Sequence, residues 1–306
     1  MIKKTLIACL VLGLSKLSSA APCCGGTANI PSLISGDDLM QFSTTLISTQ
    51  VVAESPVGGG IKYRKPNDKE TAQTLRLDFA TLISDRWQTG VTIPLTRRTR
   101  ARGTTEASAW GLNDISLSLG YEVLPYWSYS LWRPKALLFA SATLPTGGSI
   151  YDAKELYRID SRGRGFYSVS AGSLLLKNWE IWDLSLVMEV HQPFARRITN
   201  ENGILDLKPG WGASGSLAAG ISPMGGDFRL GFSLLNSYDS PIATEGIVSG
   251  RGEKVSLWTA ATQASYLASP TLSMSLIYSD QTFVKASNNA ALNRSLAFLL
   301  QKRWER

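Results

Sequence analysis

From about residue 38 to its end, the chain alternates apolar with polar or small side chains, one for one, in runs of roughly ten residues. In TLRLDFATLIS, Leu75, Leu77 and Phe79 share one face and Arg76, Asp78 and Ala80 the other. In WDLSLVMEVH, Trp182, Leu184, Leu186, Met188 and Val190 oppose Asp183, Ser185, Glu189 and His191. A period of two puts successive side chains on opposite faces of a strand, and a helix has no use for it. The pattern marks about twelve strands, over 39–54, 71–83, 87–98, 112–123, 135–145, 166–176, 179–192, 209–221, 227–238, 254–267, 271–283 and 294–304.

The connections alternate in length. SDR (84–86), LKN (176–178), SPMGGD (222–227) and ASP (268–270) are brief, whereas 55–70, 99–111, 147–165, 194–208 and 239–253 are long, polar and glycine-rich. A soluble β-sandwich also has short strands, but nothing requires its long connections to gather at one end. A bacterial outer-membrane barrel shows this asymmetry, with short periplasmic turns and long outer loops. Closure is obligatory there, because an unpaired backbone group in lipid costs several kcal/mol. The fold expected is all-β: a transmembrane antiparallel up-and-down β-barrel of about 12 strands over 38–306, with both ends at the short-turn side. PYWSYSLWRP (125–134) departs from the alternation, and its Trp127, Tyr129 and Trp132 suit a membrane interface. Trp87, Tyr121, Tyr126, Trp179, Trp182, Tyr266 and Tyr278 stand near strand ends as candidates for aromatic girdles. The final run sets Leu296, Phe298, Leu300 and Trp304 in one register; ending on an aromatic, it resembles the signal read by outer-membrane assembly machinery.

The first twenty residues, MIKKTLIACLVLGLSKLSSA, combine Lys3 and Lys4 with a short apolar core and the small residues Ser18 and Ala20. This is a Sec-type signal peptide, cleaved near Ala20, and its core is shorter than a membrane-spanning helix needs. The formal charge of +7 includes three lysines of this segment, so the remaining chain is mildly basic and gives no support for nucleic-acid binding. Residues 21–37 form a head before the first strand, expected in the periplasm or folded back on the barrel, where Ile30, Leu33 and Ile34 can pack. Its Cys23 and Cys24 are the only cysteines after the signal peptide. Pro22 before Cys23 argues against lipidation. In an oxidising compartment the two thiols can close a vicinal disulfide, pair with a periplasmic partner, or hold a soft metal such as Cu(I) as thiolates.

Two stretches carry a family likeness. SDRWQTGVTIPL (84–95) and LFASATLPTGGS (138–149) resemble the meta-pathway phenol-degradation family of outer-membrane transporters, through Asp85, Arg86, Gly90 and Pro94 in the first and Pro145, Thr146 and Gly147 in the second. The resemblance implies a small outer-membrane barrel passing small, hydrophobic molecules. The Cys-Cys head is not part of that pattern.

Inward positions carry mostly Ser, Gly, Thr and Ala, with Arg76, Asp78, Asp183, Glu189, His191, Arg229 and Arg303 as candidate pore-lining residues. Two readings stay open: these charges line a pore and set its selectivity, or they pair across the lumen and stiffen the wall. His191, the single histidine, could serve a lipid hydrolase as general base, but no matching serine and asparagine block accompanies it, and the chain is read as a non-enzyme. The basic runs RRTRAR (97–102) and RIDSRGRG (158–165) could meet phosphates of lipopolysaccharide. The function expected is an outer-membrane channel or transporter for a small, hydrophobic or metal-related solute. The alternative is a non-conducting docking protein whose Cys-Cys head binds a metal or a partner.

Overall fold

The computed structural model describes residues 31–125, 130–200, 203–223, 226–246 and 249–306; the expected signal peptide and Cys23–Cys24 lie outside them. Twelve long strands form one antiparallel sheet: β1 Asp38–Ser55, β2 Asp68–Leu82, β3 Trp87–Arg102, β4 Ile115–Leu124, β5 Lys135–Leu144, β6 Ser168–Asn178, β7 Trp182–Pro193, β8 Gly212–Ile221, β9 Phe228–Asp239, β10 Val255–Ser269, β11 Leu272–Asp280 and β12 Ala290–Glu305. Each pairs with its neighbours in sequence, and β1 closes on β12 from Asp38↔Glu305 to Ser55↔Ala290. Among the described residues the ring of twelve long strands is thereby closed on itself, as an up-and-down barrel requires.

The two faces of the wall follow the alternation read from the sequence. Large apolar side chains such as Leu46, Leu119, Leu138, Val190, Leu217 and Phe298 are exposed on the outside. The other parity is buried and largely polar: Ser43, Asp78, Thr92, Ser118, Ser185 and Arg229 all face inward. This inverts the usual distribution of a water-soluble protein, in which contiguous apolar surface of this extent is rare. Trp87 and Tyr121, cross-strand partners beside the first short turn, pack on the outer face with ring centroids 4.8 Å apart and planes tilted by 46°, where a girdle is expected. Lys302 keeps the outward register between Leu300 and Trp304, and its amine reaches Thr271 Oγ1 in the nearby turn (2.7 Å), a charged head snorkelling to the rim.

The structure departs from the sequence expectation at the long-loop end. Residues 99–111 are not a loop: β3 runs to Arg102 and pairs with a further strand, Thr105–Leu112, in a hairpin that rises beyond the barrel. β3 pairs with β4 only up to Thr92↔Ser116, and with Thr105–Leu112 only from Leu95↔Leu112 outward. Pro94 sits at this interruption, its carbonyl accepting from Asn113 N (2.9 Å). A proline cannot donate to a ladder, so it stands in a central strand at the place where the ladder is already broken. Residues 196–200, 203–208, 243–246 and 250–251, also expected as loops, form a separate four-stranded sheet over the barrel mouth. Phe166, Ile198 and Leu207, with Tyr151, Leu205 and Ile242, give this cap its own apolar core. Short polar segments between membrane-length strands show no long periodicity, which is why the alternation did not reveal them.

Candidate functional site

The interior is built in three tiers. At the short-turn end, Pro31–Gly36 enters the lumen ahead of β1. Gln88 holds it by two hydrogen bonds, accepting from Ile34 N (2.5 Å) and donating to Ile34 O (3.2 Å). Ser118 Oγ donates to Ser32 O and Lys135 Nζ to Gly36 O, both at 3.2 Å. Leu33 packs into a cluster of Leu137, Phe139, Leu174, Leu176 and Val187 on the inner face of β5–β7. Beside them lie three ion pairs: Arg229 with Asp183 (2.6 Å), Lys135 with Glu122 (3.2 Å) and Arg303 with Asp38 (3.8 Å).

The middle tier is narrower in chemistry. Thr74 and Thr96, Ser141 and Ser170, and Ser279 and Ser295 pair hydroxyl to hydroxyl across adjacent strands at 2.5–2.7 Å. Ile47, Ala261, Ile277 and Ala297 make a small apolar patch among them. Arg76 pairs with Asp78 (2.9 Å), and Thr92 donates to the same carboxylate (2.5 Å).

At the long-loop end, two charge clusters face the mouth. Glu70 is the hub of the first, meeting Arg98 at 2.6 Å, Arg64 at 2.8 Å and Arg100 at 3.7 Å. In the second, Asp239 pairs with Arg164 (2.8 Å) and with His191 Nε2 (2.9 Å). The loop over residues 145–167 joins them: Arg98 on β3 donates to Ser161 O, and Arg164 reaches Asp239 on β9. β3 and β9 stand half the ring apart, so this loop crosses the mouth. Its root is fixed by Asp114, which accepts from Gly147 N (3.0 Å) and Arg164 N (2.7 Å), while Thr146 Oγ1 donates to Asn113 O (2.6 Å). Within the loop, burial raises the pKa of Asp160, but hydrogen bonds from the backbone N–H of Lys154 and Glu155 outweigh it and hold the carboxyl below its ordinary range.

No family model matches the chain, and no curated protein matches it. Among solved structures, the COG4313 outer-membrane channel from Pseudomonas putida F1 aligns over 91% of this chain and all of its own, at 10% identity and a TM-score of 0.70. The transport unit of the autotransporter AIDA-I from Escherichia coli aligns over 91% of this chain and 94% of its own, at 8% identity and a TM-score of 0.51. The fold is that of an outer-membrane β-barrel.

All seven residues expected at the barrel's inner face are there, each with a partner. Arg76 pairs with Asp78, Arg229 with Asp183, Arg303 with Asp38 and His191 with Asp239; Glu189 accepts from Ser214 Oγ (3.4 Å). Their pairing runs along the wall, between strands at most two apart, rather than across the lumen. Ser170, opposite His191 in the ladder, is hydrogen-bonded to Ser141 and to the Glu189 carboxylate, and His191 faces the Asp239 carboxylate and the Arg164 guanidinium. The basic runs are also largely engaged: Arg98 and Arg100 turn inward to Glu70, Arg164 binds Asp239, and only Arg97 of the first three faces outward, beside Ser108 (3.3 Å). Sequence reading missed Glu70, Gln88 and Asp114. Glu70 was within reach of it, because folding β2 and β3 about their short turn sets Glu70 opposite Arg100. Among the described residues, no group of three His, Cys, Asp or Glu side chains could hold a metal ion.

Proposed function

We propose that this protein is an outer-membrane channel for a small solute, with its short turns and N-terminal head in the periplasm. The observation that carries the reading is the inner wall. Its middle tier is lined mainly by small side chains, the serine and threonine pairs with Ala261 and Ala297, interrupted by Ile47, Ile277 and the Arg76–Asp78 pair, whereas a wall serving stability alone would carry larger side chains that fill its core at native density. Wall charges neutralised in place leave a path of low net field, suited to a neutral or apolar solute, and the family resemblance points the same way. Arg76, Asp78, Asp183, Glu189, His191, Arg229 and Arg303 line this path in the proposal, and Cys23 and Cys24 offer a soft metal or a partner two thiols on the periplasmic side. Arg97, outward-facing near the outer rim, is the side chain best set to meet a lipopolysaccharide phosphate. The loop across the outer mouth and the segment in the inner one favour a second reading, a closed barrel that docks partners.

Planar-bilayer recording of the refolded chain separates them. Discrete ion steps support the channel; silence in both the intact chain and a Gln88→Ala variant rejects it. Replacing Glu70 by Ala leaves Arg64, Arg98 and Arg100 without their hub. The permeability ratio should move severalfold toward anions at 0.1 M salt and little at 1 M, since the screening length falls from about 10 to about 3 Å. Membrane insertion has its own test. Leu217 is 51% exposed midway along β8, where an arginine in lipid should cost about 2–4 kcal/mol of folding stability. In water the same change would cost near zero. Urea titration of Leu217→Arg in phosphatidylcholine vesicles reads the difference.

A further inference from the structure

Ser32–Gly36 is held inside the barrel much as a ligand is held in a pocket. The segment belongs to no strand, yet side chains of the wall hold it by its backbone. Gln88 offers a donor and an acceptor to the same residue, Ile34, as a neighbouring strand would. Ser118 and Lys135 take the carbonyls on either side. Leu33 fills the socket of Leu137, Phe139, Leu174, Leu176 and Val187, and Ile34 is buried in the lumen as well. The wall is cut back to admit the segment. A Cβ on Gly90 would lie 2.5 Å from Ser32 O, and one on Gly120 would lie 2.9 Å from Leu33 Cδ2. Gly90 is one of the residues of the family-like motif, which otherwise gives no reason for a glycine in mid-strand. A carboxamide clamp beside a branched aliphatic socket recognises an amide joined to a branched apolar group.

We propose that this socket is the solute-binding site of the channel, that its solutes are short apolar peptides and small apolar amides, and that Ser32–Gly36 is a resident ligand which they displace. The inference rests on the channel reading and supplies its solute class. A tethered ligand competes at an effective concentration in the millimolar range, so solute at that level, or one that binds more tightly, opens the path, and in its absence the path stays filled. None of the seven paired wall residues need move.

The test places Leu33→Cys in a chain whose Cys9, Cys23 and Cys24 are serine, refolded into vesicles, and follows its reaction with a membrane-impermeant maleimide. The new thiol should react slowly alone. N-acetyl-leucinamide at about 10 mM should speed the reaction severalfold, and N-acetyl-glycinamide, which has the amides but no apolar side chain, should not. Adding Gln88→Ala should raise the unliganded rate about tenfold, the worth of a buried hydrogen-bonding partner. A rate unmoved by N-acetyl-leucinamide, or moved equally by both amides, overturns the proposal. If Leu33→Cys does not refold, Ile34→Cys, buried in the same segment, takes its place. Ion conductance of the same preparation reads the channel separately. Ion steps with an unmoved labelling rate overturn the socket and leave the channel standing. A moved rate without ion steps upholds the socket and removes the channel.

Discussion

Arg229→Ala is expected to destabilise the barrel by about 3–5 kcal/mol, the usual cost of stranding one member of a buried ion pair. The side chains of Arg229 and Asp183 are 4% and 6% exposed. The guanidinium meets the carboxylate with two bonds, Nε–Oδ2 at 2.7 Å and Nη2–Oδ1 at 2.6 Å. The pair joins β9 to β7 over β8, where Gly220 lies beneath both groups, so it ties three strands at once. Alanine removes the cation and leaves Asp183 without its counter-charge. Replacing both, as Asp183→Leu with Arg229→Met, should recover most of the loss, because an apolar pair of similar volume needs no desolvation of charge. Urea midpoints for folding into vesicles measure all three chains. A loss under about 1 kcal/mol in the single variant, the range of an exposed pair, would show that water reaches this end of the lumen freely.

Asp114→Ala should release the loop that crosses the outer mouth while leaving the barrel intact. Asp114 accepts backbone N–H groups from both ends of that loop, at Gly147 and Arg164. Hydrogen bonds to a charged group are each worth about 1.5–3 kcal/mol, so losing both should raise the open population by two orders of magnitude or more. Trypsin reads that population directly when opening is fast, and Arg158, Arg162 and Arg164 supply its sites. Cleavage at these three should accelerate about a hundredfold, with no change in the urea midpoint of the barrel. Equal cleavage rates in the two chains would mean that the loop's other anchors, among them Arg98 on Ser161, Asp239 on Arg164 and Arg196 on Asp152 and Gly165, suffice to hold it across the mouth.

The strands, their number and the face each residue takes could be read from the sequence, because a wall between lipid and lumen imposes the same two-residue period on every crossing. Strand ends were less legible. β12 begins at Ala290 rather than near 294, and the hairpin above β3 was read as loop, because beyond the membrane both faces meet water and the alternation fades. The inward charges were found by parity, but their partners were not. Asp183 and Arg229 are 46 residues apart, and only the ring order brings them together. Gln88 illustrates the limit further: it is one polar residue among many on an inward parity, and its role appears only once Pro31–Gly36 is seen beside it. Leu33 and Ile34 were expected to pack against or inside the barrel, and the structure shows them inside. The four-stranded cap was invisible for a different reason. Its strands pair between two loops about forty residues apart, and short segments leave no periodic trace.

The ladder between β1 and β12 also governs the order of events during assembly. It joins residues more than 230 positions apart, from Ser55↔Ala290 to Asp38↔Glu305, so it is the slowest contact in the molecule to find. Until the last strand arrives, the first one carries an unsatisfied edge, open to any other strand that passes. Pro31–Gly36 leads directly into that waiting edge. Zipping the seam therefore fixes the first strand and threads the segment before it into the lumen in one motion, so that a nascent barrel becomes sealed to water and internally occupied at the same moment.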